Sequence, residues 1–272
     1  MVKNEKIKKI FAKSYLYLML ILIYLPILVL AVYSFTPSDQ LGKWQGFSFQ
    51  LYTDLFNNKA LMNATKNTII IAVVSALCST ILGTIGAIGT YYSKGHYKKS
   101  VEVMTQLPVV NAEIVMALSL AVLFKVLNTN YTFFTLLIGH IVLTVAFVYL
   151  NVKPKLTQMD PNIYEAALDL GASPWYALFK VVLPEILPGI FSGFLISITL
   201  SLDDFVITQY LKEPSFETIS TYIQKIVAKH PIPPEVRALS TILFILVLAV
   251  VISITIYNNK AANKIKKSRG RI

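Results

Sequence analysis

Cysteine, histidine and charge are all scarce in this chain of 272 residues, and each scarcity closes off a class of function. Cys78 is the only cysteine, so neither an internal disulfide nor a thiolate metal cluster can form. It falls within an apolar stretch, which argues against redox chemistry. His140, in the middle of another apolar run and without an acid or second histidine nearby in sequence, reads as a packed core residue, and no metal site is expected. A G-x-x-x-x-G-K-[ST] phosphate loop is missing. Any ATP used must then be hydrolysed by another polypeptide, and no cofactor and no catalytic residue are expected on this chain. Charged residues make up only 14% of the sequence against 55% hydrophobic ones, far more apolar surface than a soluble core of this size needs, so the solvent is lipid. No repeat or low-complexity segment divides the chain, and residues 1–272 read as a single transmembrane domain.

What is present is a series of long apolar runs. A bilayer-spanning helix needs about 20 such residues, and runs of that kind cover roughly 14–35, 67–91, 103–124, 133–151, 186–210 and 238–258, predicting an all-α membrane protein of about six spans. A cleaved signal peptide would have a shorter apolar region ending in small residues; the first run continues through Pro26 to Tyr33 instead. The net charge of +11 does not point to nucleic acid, because the basic residues sit at the ends of apolar runs rather than on one polar face. Of the 25 lysines and arginines, 17 fall in segments 1–13, 92–102, 152–184 and 259–272, and 8 in the intervening ones. The positive-inside rule then places both termini in the cytoplasm of a multi-pass inner membrane protein, with basic tails able to contact anionic headgroups.

The most informative stretch is polar. Between the fourth and fifth runs, residues 160–184 predict two short helices and a hinge. Asp160 can cap the first helix with Pro161 at its first position, and Ile163, Ala167 and Leu170 share a face. Gly171 supplies the turn. Ser173 caps a second helix that starts at Pro174 and runs to Val182, and Leu183-Pro184 opens the next span. Glu165-Ala166-Ala167, Gly171 and Val182-Leu183-Pro184 resemble, at matching spacing, the EAA loop of ABC importer permeases. The resemblance implies a type I importer fold in which Glu165, Ala166, Ala167, Gly171, Leu183 and Pro184 couple the membrane helices to a separate ATPase, where ATP and Mg are bound. It further implies a second homologous permease subunit, two ATPase subunits and an external solute-binding protein.

Ser201-Leu202-Asp203-Asp204-Phe205-Val206 is similar to a signature of the PotC-type permeases of spermidine and putrescine importers, as are Ile114 to Leu120 and Pro214 to Ile219. Related permeases for ferric iron, thiamine or inorganic anions share the scaffold. Intramembrane carboxylates are costly and usually face a partner or a wet path, so Glu113, Asp203 and Asp204 are candidate substrate-pathway residues for a polyamine cation. Gly189, Gly193, Ser197 and Ser201 recur every four residues, a stripe that lets helices pack closely. Asp204 falls nearly on it, and is expected rather than Asp203 to face the shared interface or pore. Gly83, Gly86 and Gly89 read as further packing positions. The aromatic segment 36–65, with Trp44, Phe47, Phe49, Tyr52 and Phe56, suits a membrane interface or a surface that receives the binding protein. Two classes compete. An intramembrane aspartyl protease needs carboxylates converging from two helices, whereas Asp203 and Asp204 are adjacent; a secondary transporter would show an inverted repeat, and none is visible.

Overall fold

The structure, a computed structural model, describes residues 2–38, 42–228, 233–249 and 252. Among them the secondary structure is entirely helical. The chain divides into two compact units, Met1–Lys59 with His230–Ile272, and Ala60–Lys229.

The first unit holds α1 (Val2–Tyr33) and α2 (Gln50–Asn57), with residues 235–249 also helical. Leu16, Leu22 and Val32 of α1 are exposed, as a lipid-facing helix requires. Beyond α1, Phe35 stacks on Phe47 at 5.3 Å between ring centroids and meets Phe49 edge-on at 5.6 Å. The Tyr52 hydroxyl shares a 2.8 Å hydrogen bond with Ser34. The Arg237 guanidinium, buried, donates to the carbonyls of Tyr33 at 3.3 Å and Ser38 at 2.6 Å. It thus supplies donors where α1 has run out of its own. The sixth expected span, 238–258, is helical as far as 249, and its remainder lies almost wholly outside the described residues.

The second unit contains α3 (Lys59–Tyr92, from Ala60 onward), α4 (Gly95–Met104), α5 (Leu107–Val110), α6 (Glu113–Val126) and α7 (Phe133–Gln158). Next come α8 (Asn162–Asp169), α9 (Pro174–Ala177), a π turn (Leu178–Val182), α10 (Leu183–Asp203), α11 (Val206–Leu211) and α12 (Ile219–Val227). Helix α7 is the centre of this unit. One end packs Val148, Tyr149, Val152 and Leu156 against Ala87 of α3 and Ile186 of α10. Its other end packs Leu136 and Leu143 against Ile71 of α3, Ala117 and Phe124 of α6, and Ile207 and Leu211 of α11.

Close approach to α7 depends on missing side chains. A methyl group on Gly83 would lie 2.7 Å from Val148 Cβ, one on Gly193 3.0 Å from Val148 Cα, and one on Gly189 2.8 Å from the Asn151 carbonyl. The small-residue stripe of α10 is therefore consumed inside this chain, because Gly189, Gly193, Ser197 and Ser201 are all buried. Gly86 and Gly89 are less constrained: a methyl on the first would reach only Tyr149 at 3.9 Å, and one on the second meets nothing within 4 Å.

Four described helices are long and apolar enough to cross a bilayer, and a fifth crossing is possible if one bent pair counts as a span. That pair corrects the expected third span. Residues 98–110 and 113–126 meet at 108°, because Asn111 (ψ 144°) and Ala112 (ψ 134°) are both extended. The fifth span also differs. It begins at Pro174 and runs to Asp203, so the second short helix of the polar stretch is continuous with it through the π turn. Pro184 has no N–H to give and its ring would strike the carbonyl one turn back; the widened π turn just before it accommodates both. At the other end the helix stops at Asp203, since Asp204 is extended (φ −64°, ψ 128°).

A Gly193→Leu substitution should lower the thermal midpoint of the detergent-solubilised protein, at a cost of roughly 1–3 kcal/mol for overpacking against backbone, while Gly89→Ala should hold or slightly raise it, since alanine is the better helix former. Equal midpoints for the two variants would refute the packing assigned to Val148.

Candidate functional site

The polar loop after α7 is built from local hydrogen bonds. The Asp160 carboxylate accepts from Asn162 N at 2.9 Å, so α8 begins one residue later than expected, with Pro161 preceding its first turn. Its C-terminus closes as a Schellman motif: Gly171 N donates to Leu168 O at 2.9 Å and Ala172 N to Ala167 O at 3.0 Å. That motif requires a left-handed residue, and Gly171 has φ +86°. Ser173 Oγ accepts from Tyr176 N at 3.3 Å and caps α9. Glu165 and Ala166 are exposed and Ala167 is half-buried. Leu170, expected to share a face with Ile163 and Ala167, is 89% exposed while those two are half-buried. It lies past the last helical residue, where the backbone no longer turns 100° per residue. It lines a cavity of about 540 Å³ together with Ala167, Gly171, Ala172, Ser173, Tyr176 and Val181, and Trp175 is likewise exposed. Ile163, Tyr164 and Leu183 tie the loop to the core, and the Tyr164 ring sits 5.2 Å from that of Tyr92 at the end of α3. Pro184 is exposed.

The three candidate acids all occur at helix breaks. Glu113 is the first residue of α6, next to the 108° bend, and Asp203 is the last of α10. Both are exposed. Asp204 is different in kind. It is only 5% exposed, and its two oxygens accept from Ile207 N at 3.1 Å, Thr208 N at 2.8 Å and Thr208 Oγ1 at 2.7 Å. It caps α11. The expectation that Asp204 faces the interface or pore is therefore corrected, because the stripe it continues packs on α7 of the same chain and its carboxylate is spent on backbone. Among the described residues no group of three His, Cys, Asp or Glu side chains is placed to hold a metal ion.

This arrangement of broken apolar helices around a protruding polar knob matches known transport proteins. The sequence pattern described as "Binding-protein-dependent transport system inner membrane component" matches residues 79–261. The chain belongs to this family. It is 38% identical over 231 residues to the "Spermidine/putrescine transport system permease protein PotC" of Escherichia coli (strain K12), covering 85% of this chain and 87% of that one. It is 36% identical to the protein of the same description from Haemophilus influenzae, over 88% and 93% of the two chains. The "Putrescine transport system permease protein PotI" of Escherichia coli (strain K12) is 33% identical over 81% of each chain. Among solved structures, a bacterial ABC transporter involved in the import of the acidic polysaccharide alginate superposes with a TM-score of 0.69 at 20% identity, over 94% of this chain and 96% of that one. An amino acid ABC transporter with histidines gives 0.54 at 17% identity, over 75% and 94%. Both show the fold, that of a type I ABC importer permease.

This inner membrane component is thus a transport subunit and not an enzyme. Sequence reasoning missed the polar side chains that surround Asp204. His140, fully buried, has Nε2 3.5 Å from Asp204 Oδ2, so it is not the isolated histidine its sequence neighbours suggested. Ser201 and Thr208 contact its two ring nitrogens. One signal was available: an aspartate followed by the apolar run Phe205-Val206-Ile207 reads as an N-cap, which would have ended the fifth span at Asp203. Because the cap is worth about 1–2 kcal/mol, Asp204→Ala should lower the thermal midpoint of the permease measurably, whereas exposed Asp203→Asn should not. Indistinguishable melting curves for the two would contradict the division between them.

Proposed function

We propose that this chain is one permease subunit of an ATP-driven importer of polyamines, spermidine or putrescine, with Asp203 and Glu113 contacting the cation. The observation that carries the substrate class is the pair of exposed carboxylates at broken helix ends, in a chain whose relatives are described as permeases for those amines. A carboxylate at a helix C-terminus adds to the negative end of the helix dipole, so Asp203 favours a cation more strongly than an acid placed mid-helix would. In this reading the chain pairs with a second, similar permease, rests on two ATPase subunits that bind ATP and Mg, and receives substrate from an external binding protein. The lysine and arginine distribution supports cytoplasmic termini and puts the knob around Glu165 to Gly171 on the ATPase side.

The knob is suited to coupling because it is both protruding and rigid. Leu170 and Trp175 offer apolar surface to a groove, Ala166 lets backbones approach, and exposed Glu165 can pair with a basic group. Displacement of the knob would pass through Ile163 and Tyr164 to the ends of α3 and α7, and through the continuous helix from Pro174 to α10 and Asp203.

Uptake of labelled spermidine into proteoliposomes containing the complex, internal ATP and external binding protein tests this reading. Asp203→Asn should raise the apparent KM about tenfold or more, the scale of one charge-assisted hydrogen bond, with ATPase coupling retained. Gly171→Pro cannot adopt φ +86° and should abolish coupled uptake. If the binding protein stimulates ATP hydrolysis but no polyamine enters, the substrate assignment is wrong; if no ATPase co-purifies, the importer assembly is wrong.

A further inference from the structure

The buried polar groups beneath Asp203 form a chain whose hydrogens can be placed by inventory. Asp204 accepts only, so the Thr208 hydroxyl must direct its hydrogen to Asp204 Oδ2, 2.7 Å away. Thr208 Oγ1 can then only accept from His140 Nε2 at 3.1 Å, which requires the Nε2–H tautomer. With the ring neutral, Nδ1 is left as an acceptor, filled by the Ser201 hydroxyl at 2.7 Å. Ser201 Oγ in turn accepts from Ser75 Oγ at 3.1 Å, a hydroxyl that also lies 3.2 Å from the Ala72 carbonyl. Every member from Ser75 to Asp204 is buried.

The chain links four helices, Ser75 on α3, Ser201 on α10, His140 on α7 and Thr208 on α11. Its central ring bridges the break between α10 and α11, whose only connecting residues are Asp204 and Phe205. Ser201 lies two residues before Asp203, and Asp204 directly after it. We infer that His140 is a positioning residue: its ring staples α10 to α11 through Ser201 and Thr208, and thereby fixes the direction in which Asp203 projects. This inference rests on the reading of Asp203 as a pathway residue only for its effect on transport; the staple itself concerns this chain alone.

The test uses the full complex with Cys78, the only cysteine, replaced by serine and with Asp203→Cys as a reporter of position. Its reaction rate with a charged methanethiosulfonate is measured with His140 intact and in His140→Gln, His140→Asn and His140→Leu backgrounds. Glutamine can place an N–H where Nε2 stood but has no acceptor at the Nδ1 position for Ser201; asparagine can meet Ser201 but is too short to reach Thr208, and leucine offers no hydrogen bond. The leucine variant should therefore differ from the parent by about fivefold or more, the worth of one buried hydrogen bond, with the two amide variants, each keeping one half of the staple, in between. Four equal rates would overturn the staple. Thr208→Val should shift the rate alone and add little on top of His140→Asn; strictly additive shifts would mean independent action and would also overturn it. Should the leucine variant not assemble, the glutamine and asparagine pair and Thr208→Val still decide. With Asp203 restored, His140→Asn and His140→Gln should each raise the KM for spermidine while leaving the maximal rate near that of the parent. Loss of maximal rate without a change in KM would indicate damage to the bundle and count against positioning. If even the parent complex imports no spermidine, the polyamine reading fails, and the modification rates still judge the staple.

Discussion

A helix that stops inside hydrocarbon leaves backbone donors and acceptors with no water to satisfy them, and that constraint organises the second unit. Two interruptions occur in its apolar helices, at Asn111–Ala112 and at Asp204–Phe205. At the second, the cost is offset by the Asp204 carboxylate, which takes the first free N–H groups of α11. The carboxylate is in turn satisfied by Thr208 and flanked by His140. Removing any one partner would leave another unsatisfied in a dry core, where an unpaired polar group is expensive. The interrupted helices persist because the polar groups they free are matched to side chains already buried by the packing of α3, α7 and α10.

That packing has its own prerequisite in Val148. Gly83 of α3 and Gly193 of α10 both approach this side chain, so α7 is held between its neighbours at distances that exclude a methyl group on either. Close approach brings Ser79 within 2.6 Å of Thr144, and Ser75 within 3.1 Å of Ser201. The glycines are thus upstream of the polar chain in the physical sense: without them the hydroxyls would be too far apart to bond. The knob depends on the same bundle, since Ile163 and Tyr164 lodge against the core end that Val148 anchors.

The parts of the fold legible in sequence were those decided locally. Composition gives lipid as the solvent, Gly171 and Ser173 mark turns whose geometry depends on a few neighbouring residues, and both form as expected. What apolarity does not encode is continuity. A run such as 103–124 is equally greasy whether it is one straight helix or two meeting at 108°, and the deciding residues, Asn111 and Ala112, carry no strong breaking signal. The stripe ending at Ser201 was visible, but a periodicity says which face is narrow and not which neighbour fills it. In the same way, His140 is separated by some sixty residues from the groups it touches, a contact that only the assembled bundle creates.

The division of labour between the adjacent aspartates follows from where the helix ends. Had α10 continued through Asp204, both carboxylates would have faced apolar surroundings about 100° apart, and neither would have had enough donors. Ending the helix between them sends one inward to the backbone of α11 and leaves the other at the exposed, electronegative terminus of α10. Under the proposed function that separation would serve transport as well as stability, because the exposed carboxylates of Asp203 and Glu113 would let a multiply charged cation trade water for protein oxygen without entering the bundle.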